Sequence, residues 1–322
     1  MIGSGRARFG VGPLIGLTTA LIAAAGCDRA DRPRTDFPAA AAMRYAKAQL
    51  DFGPRIPGSL GARRAGDWII AEMRRRADTV IVQSFTHVTA AHDTLPLRNI
   101  LARFQPAATE RVLYITHWDT RPVSDAPGMP ASQRQTPVPG ANDGASGVAL
   151  FVALGDLLNK TRPTVGVDLL FVDGEDFGSF DPPPCPAGKS CRVYGPDVLI
   201  GSQWFATHPP EADYKPLYGV LWDMIGDADL QIQQEGNSVQ RAPEVVARVW
   251  SVAADLGFSR FFGNDVETIT DDHLPLLDAG FRVIDVIDIH YPPHHTPQDT
   301  FDKISQRSLQ IVGDVAAALV TR

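Results

Sequence analysis

Apolar runs of strand length recur along the chain and alternate with segments of helical periodicity. Four largely apolar runs predict buried strands over residues 112–116, 167–172, 218–222 and 283–289. Two further runs, residues 78–85 and 98–104, also predict strands. Apolar residues at helical spacing predict helices over residues 39–50, 59–77, 143–158, 196–207, 243–256 and 305–320. We therefore expect a single α/β domain with a mostly parallel, mixed central sheet and helices on both faces.

Histidines and acidic residues follow the carboxyl ends of the four apolar runs. They are His117, Asp119, Asp173, Glu175, Asp176, Asp223, His290, His294 and His295. In an open α/β sheet, ligands collect at this edge. The set offers carboxylate oxygens and imidazole nitrogens but no thiolate, which suits zinc in a catalytic site with an open coordination position. The pattern predicts a metal site assembled by the fold.

Several of these motifs also have a purely structural explanation. Asp143 stands in a glycine-rich segment directly before a helix, so it is either a metal ligand or a helix N-cap. Residues 173–176 are either a solvated acidic turn or a ligand beside a general base. Asp271 and Asp272 open a short helix, and capping explains only one of them. Residues 120–140 form a loop rich in Pro, Ser and Gln that is too long to be only a connection.

Composition and charge narrow the classes of function. The 322 residues, 44% hydrophobic and 21% charged, are enough for one large α/β domain. The formal net charge is -7 and there is no long basic run, so we expect no nucleic-acid partner. The sequence contains neither the GxSxG motif of a serine nucleophile nor the HExxH motif of one zinc-protease class.

The N-terminal 27 residues have the composition of an export signal. Two arginines precede an apolar stretch that ends in small residues and Cys27, which resembles a lipoprotein signal in which Cys27 is lipidated. An uncleaved N-terminal anchor helix is the alternative. We expect residues 28–38 to be a linker, residues 39–322 to be the catalytic domain, and the protein to lie on the periplasmic side of the cell envelope. In that oxidising compartment Cys185 and Cys191 are expected to form a disulfide.

Seven segments resemble, in order, the M28 zinc-peptidase family, which includes the glutaminyl-peptide cyclotransferases. They lie between about residue 52 and the C-terminus and cover residues 117–122, 140–144, 173–178, 201–204, 221–226, 271–275 and 294–300. The resemblance implies a fold of the zinc-aminopeptidase/phosphorylase-hydrolase type. It also implies that Asp143, Asp176 and His295 are zinc ligands and that Glu175 is the catalytic acid/base.

The same resemblance leaves two reactions open. In two-zinc aminopeptidases, His117 and Asp223 would be further ligands. In one-zinc cyclotransferases, Asp223 and Asp272 resemble the carboxylates that hydrogen-bond with Glu175. The cyclotransferases are favoured by the His-Trp-Asp-Thr-Arg-Pro run, by Glu-Asp rather than Glu-Glu, and by the double Asp before His273.

The residue before the last zinc ligand departs from the family pattern. His294 stands where cyclotransferases usually carry Trp and peptidases usually carry Tyr, so we expect it to line the substrate pocket. Trp118, Trp204, Trp222 and Phe177 are further candidates for the pocket wall. An ordinary place in the core is the alternative for each of these four.

The sequence therefore predicts an enzyme that cyclises the N-terminal glutamine of peptides or proteins to pyroglutamate with one zinc ion. The alternative is an aminopeptidase with two zinc ions that removes N-terminal residues. A non-enzymatic exported protein that keeps the fold is a third interpretation. Contact with a membrane is expected only through lipidated Cys27 or an N-terminal anchor.

Overall fold

The computed structural model describes residues 1–3, 5, 34–185 and 194–321. The predicted export signal and Cys191 lie outside these residues, so lipidation at Cys27 and the disulfide stay predictions. Within the described ranges, no helix is long and apolar enough to cross a membrane.

Six strands form a central sheet in the order β1-β2-β4-β3-β5-β8. The neighbours β4, β3, β5 and β8 are parallel, whereas β2 runs antiparallel to both β1 and β4. A separate parallel pair is formed by β6 and β7. The strands are β1 (Thr79–Val88), β2 (Thr94–Phe104), β3 (Arg111–His117), β4 (Gly166–Val172), β5 (Tyr218–Asp223), β6 (Ile232–Glu235), β7 (Phe262–Glu267) and β8 (Val283–Ile287). The prediction of a mixed, mostly parallel sheet is confirmed.

Helices cover both faces of this sheet, as predicted. Alternate residues of β3 show the two faces, because Val112 and Tyr114 belong to one apolar cluster while Leu113 and Ile115 belong to another. Among the described residues, the helices are α1 (Ala39–Leu50), α2 (Leu60–Arg74), α3 (Ala145–Lys160), α4 (Ile200–Thr207), α5 (Gly236–Arg241), α6 (Pro243–Asp255), α7 (His273–Asp278) and α8 (Gln306–Thr321). The first cluster also takes residues from α1, α2, α3, α6 and α8, the second takes residues from α4, and both take residues from α7.

The helix predicted over residues 196–207 begins only at Ile200. The backbone N–H of Leu199 donates to the carbonyl of Glu175 at 2.9 Å, and that of Ile200 donates to the carbonyl of Gly174 at 3.0 Å. Leu199 takes a left-handed conformation with φ 53° to make this contact. The start of α4 is therefore used to hold the loop that carries Glu175.

The segment just before residue 39, where the predicted linker would end, packs against the helix α8. Phe37 is buried and packs against the helix α8 at Gly313, where even a methyl group would collide with the phenyl ring. Asp314 accepts hydrogen bonds from the backbone N–H groups of Arg34 at 2.7 Å and Thr35 at 2.9 Å. Residues 34–38 thus pack against the domain, and the predicted domain boundaries stay predictions.

Candidate metal centre

The ends of β3 and β5 bring two predicted ligands next to a third from the loop before α3. His117 Nε2 lies 3.1 Å from Asp143 Oδ1 and 3.2 Å from Asp223 Oδ1. The three side chains are buried, and their donor atoms all lie within 4.8 Å of one another. This half of the site contains the predicted second-metal residues.

The other half is built around His295, from the loop after β8. Its Nε2 lies 3.3 Å from Asp176 Oδ1 and 3.9 Å from Asp143 Oδ2. Asp143 therefore faces both halves of the site. His294 also brings a nitrogen within 4.8 Å of donors from Asp143 and His295. The sequence predicted that His294 lines the substrate pocket, and the structure places its ring beside the metal donors as well.

The buried polar atoms of this cluster fit a bound cation. Asp143 Oδ2 and Asp176 Oδ2 are buried and have no hydrogen-bond partner among the described residues. Buried carboxylate oxygens left without a partner are costly, and a divalent ion would compensate them. Carboxylate and imidazole donors without thiolate suit zinc in an open site. Asp143, Asp176 and His295 lie together here, and their assignment as zinc ligands stays a prediction.

Asp143 is not an N-cap. The helix α3 begins two residues later, its N-cap is Gly144 with φ 91°, and no side chain caps it. Instead, the Asp299 carboxylate accepts the backbone N–H groups of Asn142 at 2.8 Å and Asp143 at 3.1 Å. The Asp143 carboxylate is therefore left for the site, while its backbone is fixed from the loop after β8.

Two further residues hold the same loop, and the sequence did not single them out. The Arg55 side chain is fully buried and donates to the carbonyls of Pro139 at 2.6 Å and Gly140 at 2.7 Å. The Tyr291 hydroxyl donates to Asp299 at 2.6 Å. The sequence around Arg55 does not reveal that its side chain is buried, so this contact could not be predicted.

Glu175 and Asp176 are aimed by Asp119. The two oxygens of Asp119 accept the backbone N–H groups of Glu175 and Asp176, each at 3.1 Å. Asp119 Oδ1 also lies 3.5 Å from His117 Nδ1. Its main contacts are therefore to the loop of the acid/base residue, with His117 as a second neighbour.

Burial raises the pKa of the Glu175 carboxyl well above its usual range. His117 opposes this rise, while Asp176, Asp271 and Asp272 add to it. Burial also raises the pKa of Asp272 to about 7, against a hydrogen bond donated by the Ser202 hydroxyl. Burial therefore favours the protonated form of Glu175. Its predicted hydrogen bonds with Asp223 and Asp272 stay predictions.

A pocket of about 250 Å³ opens onto these groups. It combines the acidic and imidazole side chains with an apolar wall, which the sequence did not reveal. The wall residues are Phe180, Met224, Ile269, Ile287 and Ile289, and the polar lining includes Asp143, Glu175, Asp223, Asp271, His294 and His295. The predicted place of His294 agrees with this lining.

The three tryptophans predicted for the pocket wall lie elsewhere. Trp222 is fully buried in the main core, where its ring meets Tyr114 edge-on. Trp118 is also buried, and Trp204 is stacked on Phe85 with ring centres 4.6 Å apart, beside a different cavity between β1 and α4. Phe177 packs in the same small cluster as Phe85. For Trp118 and Trp222 the physical reason is the large apolar area of the rings, which favours burial in the core.

Two residues that follow strand ends do not join the donor cluster. His290 is half-exposed and its Nε2 lies 3.1 Å from Glu267 Oε2. Asp173 accepts the backbone N–H of Arg98 at 3.0 Å and so connects β4 to β2. Position directly after a strand was therefore not sufficient to identify a donor residue.

Comparison with known proteins agrees with this geometry. The profile of peptidase family M28 matches residues 99–320, more than half of the chain. The chain belongs to peptidase family M28. Among solved M28-like structures, a glutaminyl cyclase from Bacteroides thetaiotaomicron superposes with a TM-score of 0.80 at 31% identity, covering 89% of this chain and 98% of that one. A leucine aminopeptidase precursor from the same organism gives 0.81 at 31% identity, covering 89% and 97%.

Curated sequences include both a cyclotransferase and a probable metalloprotease. The bovine glutaminyl-peptide cyclotransferase is 25% identical over 294 residues, which cover 83% of this chain and 77% of that protein. A probable zinc metalloprotease of Leptosphaeria maculans is 37% identical over 130 residues, 37% of this chain. The match spans only 29% of the length of that fungal protein. Family membership therefore leaves the reaction to be argued from the site.

Proposed function

We propose that this M28-family protein cyclises the N-terminal glutamine of peptides to pyroglutamate and releases ammonia. The observation that carries the proposal is the placement of Glu175. Its carboxyl is buried, its pKa is raised, and it lines a pocket of about 250 Å³ together with the metal donors. A group that takes a proton and returns it at neutral pH needs such a pKa.

The chain's own groups account for each part of the reaction. Glu175 accepts a proton from the substrate's α-amine and delivers it to the departing ammonia. The amine nitrogen bonds to the γ-carbonyl carbon and the bond from that carbon to the amide nitrogen breaks. Asp143, Asp176 and His295 would hold zinc, which polarises the γ-carbonyl when bound. Because the attack is intramolecular, holding the side chain in a bent conformation supplies much of the rate.

The apolar wall suits this reaction because it keeps water away from the γ-amide. Phe180, Ile269 and Ile289 contribute apolar side chains to the lining of the pocket. Water inside the pocket would compete with the α-amine and hydrolyse glutamine to glutamate. A small, partly apolar pocket therefore favours ring closure.

We propose one zinc ion per chain. Burial lowers the pKa of His117, but Asp223, Asp119 and Asp143 outweigh it and hold the pKa well above its usual range. An imidazolium between Asp143 and Asp223 balances their charge without a second metal. The distances of 3.1 Å and 3.2 Å from His117 Nε2 to these two carboxylates are hydrogen-bonding distances.

A zinc aminopeptidase is the second candidate, and one observation favours it. His117, Asp143 and Asp223 offer donors that all lie within 4.8 Å of one another, which is close enough for a second ion. Glu175 would then take a proton from water that attacks the first peptide carbonyl. Zinc bound to the full-length protein after dialysis separates the candidates: one equivalent supports the cyclase, and two support the aminopeptidase.

Activity assays test the proposal directly. The zinc-loaded protein should release ammonia from a Gln-initiated peptide but not from the matched Asn-initiated peptide, whose shorter side chain cannot close a five-membered ring. Aminoacyl chromogenic substrates should stay intact. Cleavage of those substrates without ammonia release would support the aminopeptidase instead.

We also propose that the protein is exported and anchored through Cys27. The support is the small-residue stretch that ends at Cys27 in the sequence. Labelled palmitate should enter the wild-type protein and not the Cys27→Ser variant, which should leave the membrane fraction. A membrane-bound, unlabelled Cys27→Ser protein would instead indicate an uncleaved anchor helix.

A further inference from the structure

Asp125 lies in the long loop of residues 120–140 and contacts the metal ligand His295 from behind. Its Oδ1 is 3.4 Å from His295 Nδ1, on the side of the ring away from Asp176. His295 Nε2 points to Asp143 and Asp176 instead. A metal-binding imidazole commonly donates its second N–H to a carboxylate, which fixes the ring and makes it a stronger donor.

Arg121 connects this carboxylate to a second metal ligand. Its guanidinium donates to Asp125 at 2.7 Å and 2.5 Å, and to Asp176 Oδ1 at 2.7 Å. The contacts close a ring from Arg121 to Asp125, His295, Asp176 and back to Arg121. Arg121 and His295 Nε2 both approach Oδ1 of Asp176, while Oδ2 is buried and has no hydrogen-bond partner among the described residues.

The backbone of the same loop also holds His295. The N–H of Ala126 donates to the carbonyl of His295 at 3.3 Å. His295 has φ 54°, a left-handed conformation that is uncommon for a residue with a side chain. Such a conformation persists only where its surroundings fix it. Asp125 and Ala126 thus fix the side chain and the main chain of one ligand.

We propose that Asp125, held by Arg121, is a positioning residue that orients His295 and thereby raises the affinity of the site for zinc. This inference rests on the zinc centre of the proposed function, but not on which reaction the centre catalyses. It gives the long loop a role that neither its length nor its composition defines.

The Asp125 side chain is partly exposed, which makes it suitable for substitution. The side chain is 42% exposed, so its replacement leaves no buried cavity. The variants are Asp125→Asn, Asp125→Ala and Asp125→Glu in the full-length protein. The matched control is Asp181→Asn, because Asp181 is an exposed carboxylate that lines the same small outer cavity as Asp125. The measurement is the zinc dissociation constant, by competition with a chromogenic chelator.

Asp125→Asn and Asp125→Ala should bind zinc about 10- to 100-fold more weakly, which is typical of losing such a partner. Asp125→Glu should recover part of the affinity, and Asp181→Asn should match the wild type. The metal-free Asp125→Asn protein should still unfold in a single cooperative thermal transition, as the wild type does. That last result separates positioning from a general loss of structure.

Unchanged zinc affinity in Asp125→Asn would overturn the inference. An equal loss in Asp181→Asn would overturn it as well, because the effect would then be one of overall charge. A wild-type protein that binds no zinc would instead refute the metal centre of the proposed function. The failures of the two proposals are therefore distinguishable.

Discussion

Replacing Glu175 by Gln tests the acid/base assignment most sharply. The substitution keeps the size and shape of the side chain but removes its ability to accept a proton. Glu175 is buried and lines the pocket beside the donor residues, and the proposed zinc ligands are Asp143, Asp176 and His295. We therefore expect turnover to fall while bound zinc stays at the wild-type level.

The expected magnitude follows from the role of the carboxyl. Proton transfer by a positioned side chain contributes about 10²- to 10⁴-fold to a rate, so kcat for ammonia release should fall by that factor. Stability should not fall. The raised pKa means that ionised Glu175 destabilises the metal-free fold above its unfolded-state pKa, and a neutral amide removes that penalty.

The assay pairs ammonia release with metal analysis of the same sample. A fall in kcat of less than about 10-fold would refute the assignment, because it is below the range for general acid–base catalysis. Loss of zinc from Glu175→Gln would make Glu175 a ligand. Either result would require another group, such as Asp271 or Asp272, as the base.

Two other predictions concern the halves of the site and its buried charge. Asp143 faces both halves, so metal analysis of Asp143→Asn should show a loss of zinc. The same analysis should find one zinc ion per chain in His117→Ala. Two ions in the wild type and one in His117→Ala would contradict the proposal of one zinc ion. Burial raises the pKa of Asp272 to about 7 in the folded protein. The stability that protonated Asp272 contributes to the fold is therefore fully present below the pKa of this residue in the unfolded chain, and it is lost as the pH rises toward 7. The metal-free protein should therefore unfold at lower urea concentration at pH 8 than at pH 5, and Asp272→Asn should reduce that difference; an equal pH dependence in both proteins would show that Asp272 does not titrate in this way.

The donor residues could be predicted because the parallel sheet fixes where they meet. His117 closes β3 and Asp223 closes β5, and these strands are hydrogen-bonded neighbours. Apolar runs reveal such strands, and the residues that follow them gather at one edge. Local sequence therefore carried most of the information on the metal site.

The supports and walls of the site could not be predicted in the same way. Arg121 and Asp125 lie in a loop without periodicity. Arg121 is 55 residues from its partner Asp176 in sequence, and Asp125 is 170 residues from its partner His295. The strands β6 and β7 carry the polar sequences IQQE and FGNDVE, which have no regular apolar alternation. The tryptophans were assigned wrongly because large aromatic rings occur both in substrate pockets and in packed interiors. In this protein they contact other side chains and do not line the pocket at the donor residues.

The most direct test of the account is mass spectrometry of a Gln-initiated peptide after incubation with the zinc-loaded, full-length protein, with and without a chelator. The account predicts a chelator-sensitive loss of one ammonia with the number of residues unchanged. Chelator-sensitive loss of the whole first residue would contradict it and would establish an aminopeptidase.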